Sequence, residues 1–200
     1  MNRPHELTDF LHAVHAKLAD APSGAAAEAV DRIFAALQTQ GSVEAPQVAP
    51  SENGLSDTLS THFMTALHSA KSGPSEISAI AAAFERLAPL LRWAPKAGSE
   101  SNPDFHTHHA NTAIVGPMGI EKRSDVIVGA GVVAPGTTYP KHSHPPEELY
   151  VVLSEGEWYR DERQWYSPGV GGIVYHPQGI THGMRALGPP LLAVWCLYVD

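Results

Sequence analysis

Two hundred residues suit one domain, or one domain with a substantial appendage, and an apolar fraction of 43% is enough to bury a real core. A formal net charge of −8 argues against a nucleic-acid partner or docking on an anionic membrane, and no apolar run reaches the length of a membrane-spanning helix. The single cysteine, Cys196, excludes an internal disulfide framework. The opening stretch "MNRPHELTDFLHAV" lacks the apolar run of a secretory signal, so the expectation is a cytoplasmic protein.

Residues 1–105 predict a helical region of about four amphipathic helices. Leu7, Phe10, Leu11, Val14 and Leu18 form one apolar face, and Val30, Ile33, Phe34 and Leu37 a second. Leu55, Leu59, Phe63 and Leu67 form a third; Ile77, Ile80, Phe84, Leu87 and Leu91 form a fourth. Each follows the i, i+3, i+4, i+7 spacing that lines one side of a helix. Pro4 and Pro74 stand where helix starts tolerate proline, with Glu6 and Glu76 following in the first turn. Between the second and third helices, Gly41 to Gly54 ("GSVEAPQVAPSENG") has no periodicity and reads as a flexible linker. His5, His12, His15, His62 and His68 are read as solvated or packing residues, because no carboxylate–histidine pair recurs there at ligand spacing.

The period changes near residue 93, and residues 106–200 are expected to form a β-barrel domain. From about Ile114 the chain becomes short β-rich runs bounded by glycine and proline: "DVIVGAGVVAPG", "EELYVVLSEGEWYR", "GGIVYHP" and "PLLAVWCLYV". Such runs suit a small antiparallel barrel or sandwich whose mouth can hold a ligand. No internal repeat indicates a second barrel. Seven of the twelve histidines fall between His106 and His182, dispersed among these strands rather than gathered in a low-complexity tract.

Within "PGTTYPKHSHPPEELYVVLSEG", His142 and His144 are two apart, so on a strand they share a face, as do Glu148 and Tyr150. The even-numbered residues form a plausible inward set, with Lys141, Ser143, Glu147 and Leu149 facing away; Pro145 and Pro146 interrupt the parity between the pairs. A histidine pair with a nearby carboxylate suits zinc, iron(II) or manganese. Downstream, "GGIVYHPQGITHGM" brings His182 after a glycine-rich turn.

These two segments resemble the two sequence motifs of the cupin superfamily. Gly136, His142, His144 and Glu148 fit the first, with Gly156 one residue late; Gly171, Pro177, Gly179 and His182 fit the second, with Ala186 in place of the closing asparagine. The departures fall on framework positions. The resemblance spans about residues 106 to 199 and implies a single cupin barrel, a double-stranded β-helix or jelly roll, giving a mainly β, α+β chain with its helices in front. It implies one divalent transition metal per chain, held by His142, His144, Glu148 and His182. His176 stands outside that set, and His106, His108 and His109, in "HTHH", are expected in a loop ahead of the barrel.

"TYPKHSHPPEELYVVLS" with "GITHGM" and "PLLAVWCLY", behind an N-terminal helical segment, closely resembles the cupin-type dimethylsulfoniopropionate lyases, the DddQ type in particular. That family splits its substrate by β-elimination into acrylate and dimethyl sulfide. The resemblance implies a tyrosine base at Tyr150, with Tyr139 lining the pocket and able to share or take over the role. The chemistry accounts for the residue type. A proton α to a carboxylate is weakly acidic, so its base must be strong, and tyrosine has a reference pKa of about 10. A nearby dication favours the phenolate and stabilises charge developing on the bound carboxylate. Aromatic faces can hold the sulfonium without a counter-charge. Trp195 and Tyr139 are the preferred pocket members among Tyr139, Trp158, Tyr159, Trp165, Tyr166, Trp195 and Tyr198, any of which could instead be barrel core or rim. Lys141 is the candidate partner for the substrate carboxylate, against the plainer reading of a solvated strand lysine.

The expected partner is therefore a small zwitterionic carboxylate, with no nucleic acid or membrane, in a monomer or homodimer. Two other classes stay open. A non-haem iron dioxygenase would use similar donors but consume oxygen. A ligand-binding cupin without catalysis would hold a metabolite and tolerate loss of Tyr150. No basic helix-turn-helix pattern supports a DNA-binding regulator.

Overall fold

The computed structural model describes residues 2–43, 53–161 and 164–199. Residues 44–52 of the expected linker lie outside the described residues.

Four helices form where the apolar periodicity places them: α1 (His5–Leu18), α2 (Ala25–Leu37), α3 (Asp57–Lys71) and α4 (Ser75–Leu87). The predicted faces are the buried ones, from Leu7 to Leu18 on α1 through Ile77 to Leu87 on α4. Ser56 starts α3 by accepting the Leu59 N–H at 3.2 Å, satisfying a donor the helix itself cannot. Pro4 and Pro74 occupy the positions immediately before α1 and α4. None of the described helices is long and apolar enough to cross a membrane.

The β part is two sheets. The larger, eight-stranded among the described residues, contains β1 (Ser42–Val43), β2 (Trp93–Ala94), β3 (His109–Val115), β4 (Glu121–Lys122), β5 (Val126–Val133), β7 (Glu147–Val152), β9 (Ile173–His176) and β11 (Leu191–Tyr198). Its order is β1-β4-β3-β5-β11-β7-β9, with β2 paired to β3. The smaller sheet holds β6 (Thr138–His142), β10 (His182–Arg185) and β8 (Glu157–Arg160), in the order β6-β10-β8. A fifth short helix, α5 (Pro103–Thr107), leads into β3. This is the expected architecture, helices followed by one cupin-type barrel.

Alternation separates the two faces of the larger sheet. Val126, Val128, Ala130 and Val132 of β5, Leu149 and Val151 of β7, and Leu192, Val194 and Cys196 of β11 join the helical core. Their neighbours point the other way, into the barrel. The expected division after residue 105 leaves β1 and β2 on the helical side, although both belong to this sheet. Ion pairs pin the helices to it as well. The Arg3 guanidinium contacts Glu121, which is fully buried, through two hydrogen bonds of 2.6 and 2.9 Å. Arg32 of α2 and the Tyr175 hydroxyl both donate to the Glu147 carboxylate.

Candidate metal centre and its cavity

The second residue of β7, Glu148, pairs across the sheet with His176 of β9. In the smaller sheet His142, ending β6, pairs with His182, opening β10. His144 lies in the loop between β6 and β7. The two sheets thus bring four imidazoles around one carboxylate. His144 Nε2 is 3.4 Å, His182 Nε2 3.2 Å and His176 Nδ1 3.9 Å from Glu148 Oε2. Two overlapping donor groups result: His142, His144 and His182, and Glu148, His176 and His182.

Local backbone fixes which nitrogen each ring presents. The Nδ1–H of His142 donates to the Pro140 carbonyl (2.9 Å), that of His144 to Pro146 (2.9 Å) and that of His182 to Ile180 (3.0 Å). Each Nε2 is left as a lone-pair donor, the arrangement by which outer partners orient metal-binding histidines. Glu148 Oε2, His182 Nε2 and both nitrogens of His176 are buried and have no hydrogen-bond partner among the described residues. Unpaired buried polar atoms are expensive, and here they face one another. Burial pushes His142 down to about 4, keeping it a neutral donor. Burial alone would raise the Glu148 carboxyl, but the surrounding imidazoles hold it well below the usual carboxylate range. An ionised carboxylate ringed by imidazoles that turn Nε2 towards it fits a divalent transition metal.

These groups open onto a cavity of about 650 Å³ whose lining includes His142, His144, Glu148, Tyr139, Tyr150 and Trp195. Tyr150 sits opposite Trp195 on β11. The indole ring has room because Gly129 lies beyond it on β5: a Cβ there would fall 2.3 Å from the ring. Burial, reinforced by the Glu148 carboxylate, keeps the Tyr150 phenol well above its ordinary range. Burial also pushes Tyr139 up to about 12, partly opposed by a hydrogen bond from the Asn111 amide to its hydroxyl at 3.3 Å. Either phenol ionises near neutral pH only if positive charge is added to the site.

Parity places Glu148 and Tyr150 together, but it fails between Tyr139 and His142. The β6–β10 register slips there: His182 opposes His142, whereas Met184 opposes Tyr139. This bulge, an extra residue on β6, lets both Tyr139 and His142 line the cavity. Lys141, between them, is turned out of the cavity; its ammonium rests 3.5 Å from the centroid of the Tyr159 ring. Two cations among the described residues do line the cavity, Arg92 just before β2 and Lys96 just after it, and the sequence pattern singled out neither. Among the described residues, the lining aromatics are Trp93, Tyr139, Tyr150 and Trp195. Trp158 is fully buried in the barrel core, and Tyr159 and Trp165 pack on each other.

The expected "HTHH" loop is only partly a loop. His106 lies in α5, and His109 is the first residue of β3, fully buried. His109 accepts the Lys96 N–H at 2.8 Å and donates from Nδ1 to the Phe105 carbonyl. Its neighbours are packing partners, and it does not line the cavity. His176 could have been found from its place opposite Glu148, but that pairing is not written in either segment alone.

A family model described as dimethylsulfoniopropionate lyase matches residues 25–193. The dimethylsulfoniopropionate lyase DddQ of Ruegeria pomeroyi is 33% identical over 99 residues, covering 48% of this chain and 49% of that protein. The chain spans about half the length of the curated relatives it matches. The crystal structure of DddQ from Ruegeria pomeroyi superposes with a TM-score of 0.64 at 21% identity, covering 99% of this chain and 93% of that one. A chain from the structures of the lyases RdDddP and RnDddQII gives 0.65 at 20%, covering 98% and 93%. At that identity the likeness carries the fold.

Proposed function

The chain belongs to the dimethylsulfoniopropionate lyase family, and from that premise we propose that it splits dimethylsulfoniopropionate by β-elimination into dimethyl sulfide and acrylate. One juxtaposition supports this reading: two buried phenols and a histidine–glutamate donor group share a single cavity. The ligands in this reading are His142, His144, Glu148 and His182, whose donors suit zinc, iron(II) or manganese. When bound, such a metal supplies Lewis-acid charge for the substrate carboxylate and favours an adjacent phenolate.

The residues of the chain carry the remaining steps. Tyr150, as phenolate, accepts the proton from the carbon α to the carboxylate. The electron pair left on that carbon forms the new C=C bond, and the C–S pair departs with sulfur. Dimethyl sulfide leaves as a neutral molecule, so the leaving group needs no acid. Trp195, opposite Tyr150, offers its face to the sulfonium. Apolar neighbours such as Ala193, Leu197 and Val133 limit water at the phenolate.

A second reading gives Tyr139 the base role. The Asn111 amide donates to its hydroxyl oxygen, an interaction that favours the phenolate, whereas Tyr150 faces the Glu148 carboxylate. The test is headspace dimethyl sulfide from purified protein under strict anaerobiosis. Release in the wild type with loss in Tyr150→Phe supports the first assignment; loss in Tyr139→Phe with turnover kept in Tyr150→Phe moves the base to Tyr139. Release that requires oxygen points to a dioxygenase, and tight binding without product to a non-catalytic cupin.

A further inference from the structure

Lys96 is a cation in the cavity wall that the elimination leaves without a task. It follows Pro95 at the end of β2, a strand held to Asn111 and Thr112 of β3. Its main chain is clamped: the Lys96 N–H donates to His109 Nε2, and the His109 ring stacks on Phe105 at 3.6 Å between centroids. Its side chain is different. The ammonium lies 5.4 Å from the centroid of the Tyr139 ring and makes no hydrogen bond or ion pair among the described residues. Burial lowers its pKa, with the Glu148 carboxylate opposing. A half-buried ammonium held by a fixed backbone, with no anion of its own, is suited to an anion that arrives with a ligand.

The same cation restricts where a positive group can sit. Lys96 already occupies the neighbourhood of the Tyr139 ring, and a sulfonium placed there would face a like charge. The indole of Trp195, on the main sheet, is a large aromatic face of the cavity with no cation on it among the described residues. We infer that Lys96 pairs with the carboxylate end of the bound zwitterion, sharing that group with the metal of the lyase reading, and, by repulsion at Tyr139, directs the sulfonium end to Trp195. His109 acts through Lys96 as a positioning residue. The identity of the zwitterion rests on the lyase reading above; the carboxylate site does not.

The experiment is calorimetric titration of the zinc-loaded full chain with acrylate and, separately, with trimethylsulfonium, which has the cation and no carboxylate. Lys96→Met should weaken acrylate at least tenfold and leave trimethylsulfonium unchanged or tighter, while Lys96→Arg restores most of the acrylate affinity. With dimethylsulfoniopropionate, KM for Lys96→Met should rise more than kcat falls. Acrylate affinity within twofold of wild type in Lys96→Met overturns the inference. Should that variant not fold, reductive methylation of the wild type decides: saturating acrylate protects Lys96 if the inference holds, and equal labelling with and without it overturns it. Lys96-dependent acrylate binding without dimethyl sulfide release sinks the lyase reading alone. Full release with acrylate affinity indifferent to Lys96 sinks this inference alone.

Discussion

The two faces of the larger sheet differ more than its strands do. On β7, Leu149 and Val151 join the apolar core under the helices, while Glu148 and Tyr150, one residue away in each case, face the cavity. The outer face is dry and aliphatic, and α1 to α4 cover it completely enough that Val128, Ala130 and Val194 are fully buried. The inner face holds a buried carboxylate oxygen and imidazole nitrogens without hydrogen-bond partners among the described residues, an arrangement that costs stability. The difference teaches that the helical part need not carry chemistry to matter. Its packing energy offsets the strain of a polar interior on the opposite side of the same strands.

The largest effects are expected at the metal donors on the inner face. His182→Ala or Glu148→Ala should lose bound metal, measured by elemental analysis, together with all dimethyl sulfide release; full metal occupancy in either would overturn the ligand set. Tyr150→Phe should lower turnover by about 1,000-fold, within the span expected for a general base, with metal content and thermal midpoint little changed. The reverse profile belongs to the outer side. Phe84→Ala, fully buried against Phe10 and Phe63, should cost about 3–5 kcal/mol in urea unfolding, with kcat per folded molecule kept.

A pH series sharpens the contrast further. Burial holds His109 down at about 4 in the folded chain, below the ordinary value of about 6.5. The unfolded chain therefore takes up this proton first. The stability from neutral His109 is complete above pH 6.5 or so and is lost as pH falls towards 4, by about 3 kcal/mol at most. Urea unfolding at pH 7 and pH 5 should show a smaller loss in His109→Gln than in wild type; equal losses would refute the assignment. The smallest effect is expected at Lys141→Ala, which should change KM for dimethylsulfoniopropionate by less than about twofold, because that ammonium lies on Tyr159 outside the cavity. A large KM effect there would return the carboxylate role to Lys141.

Much of the fold could be read from periodicity. The four helical faces, from Leu7 through Leu91, are spacing patterns that depend only on the turn of a helix, and they are the faces that pack. The shared face of Glu148 and Tyr150 follows equally from strand geometry, and the motif glycines mark real turns, Gly136 at φ +77° among them. Lys141 and Lys96 show where that reasoning stops. Lys141 carries the right charge beside the right histidine, yet the bulge opposite β10 turns it outward. Lys96 sits just past the point where helical periodicity ends, in a stretch with no period of its own, and reaches the cavity through the pairing of β2 with β3.

The chain's own order of residues therefore determined the secondary elements, the apolar faces and the donor types, because helix and strand periods are local properties of the backbone. Only the tertiary structure decided that β6 bulges, that His176 meets Glu148, and that Lys96 rather than Lys141 enters the cavity. Those outcomes depend on the register between strands far apart in the chain, and no local period encodes register.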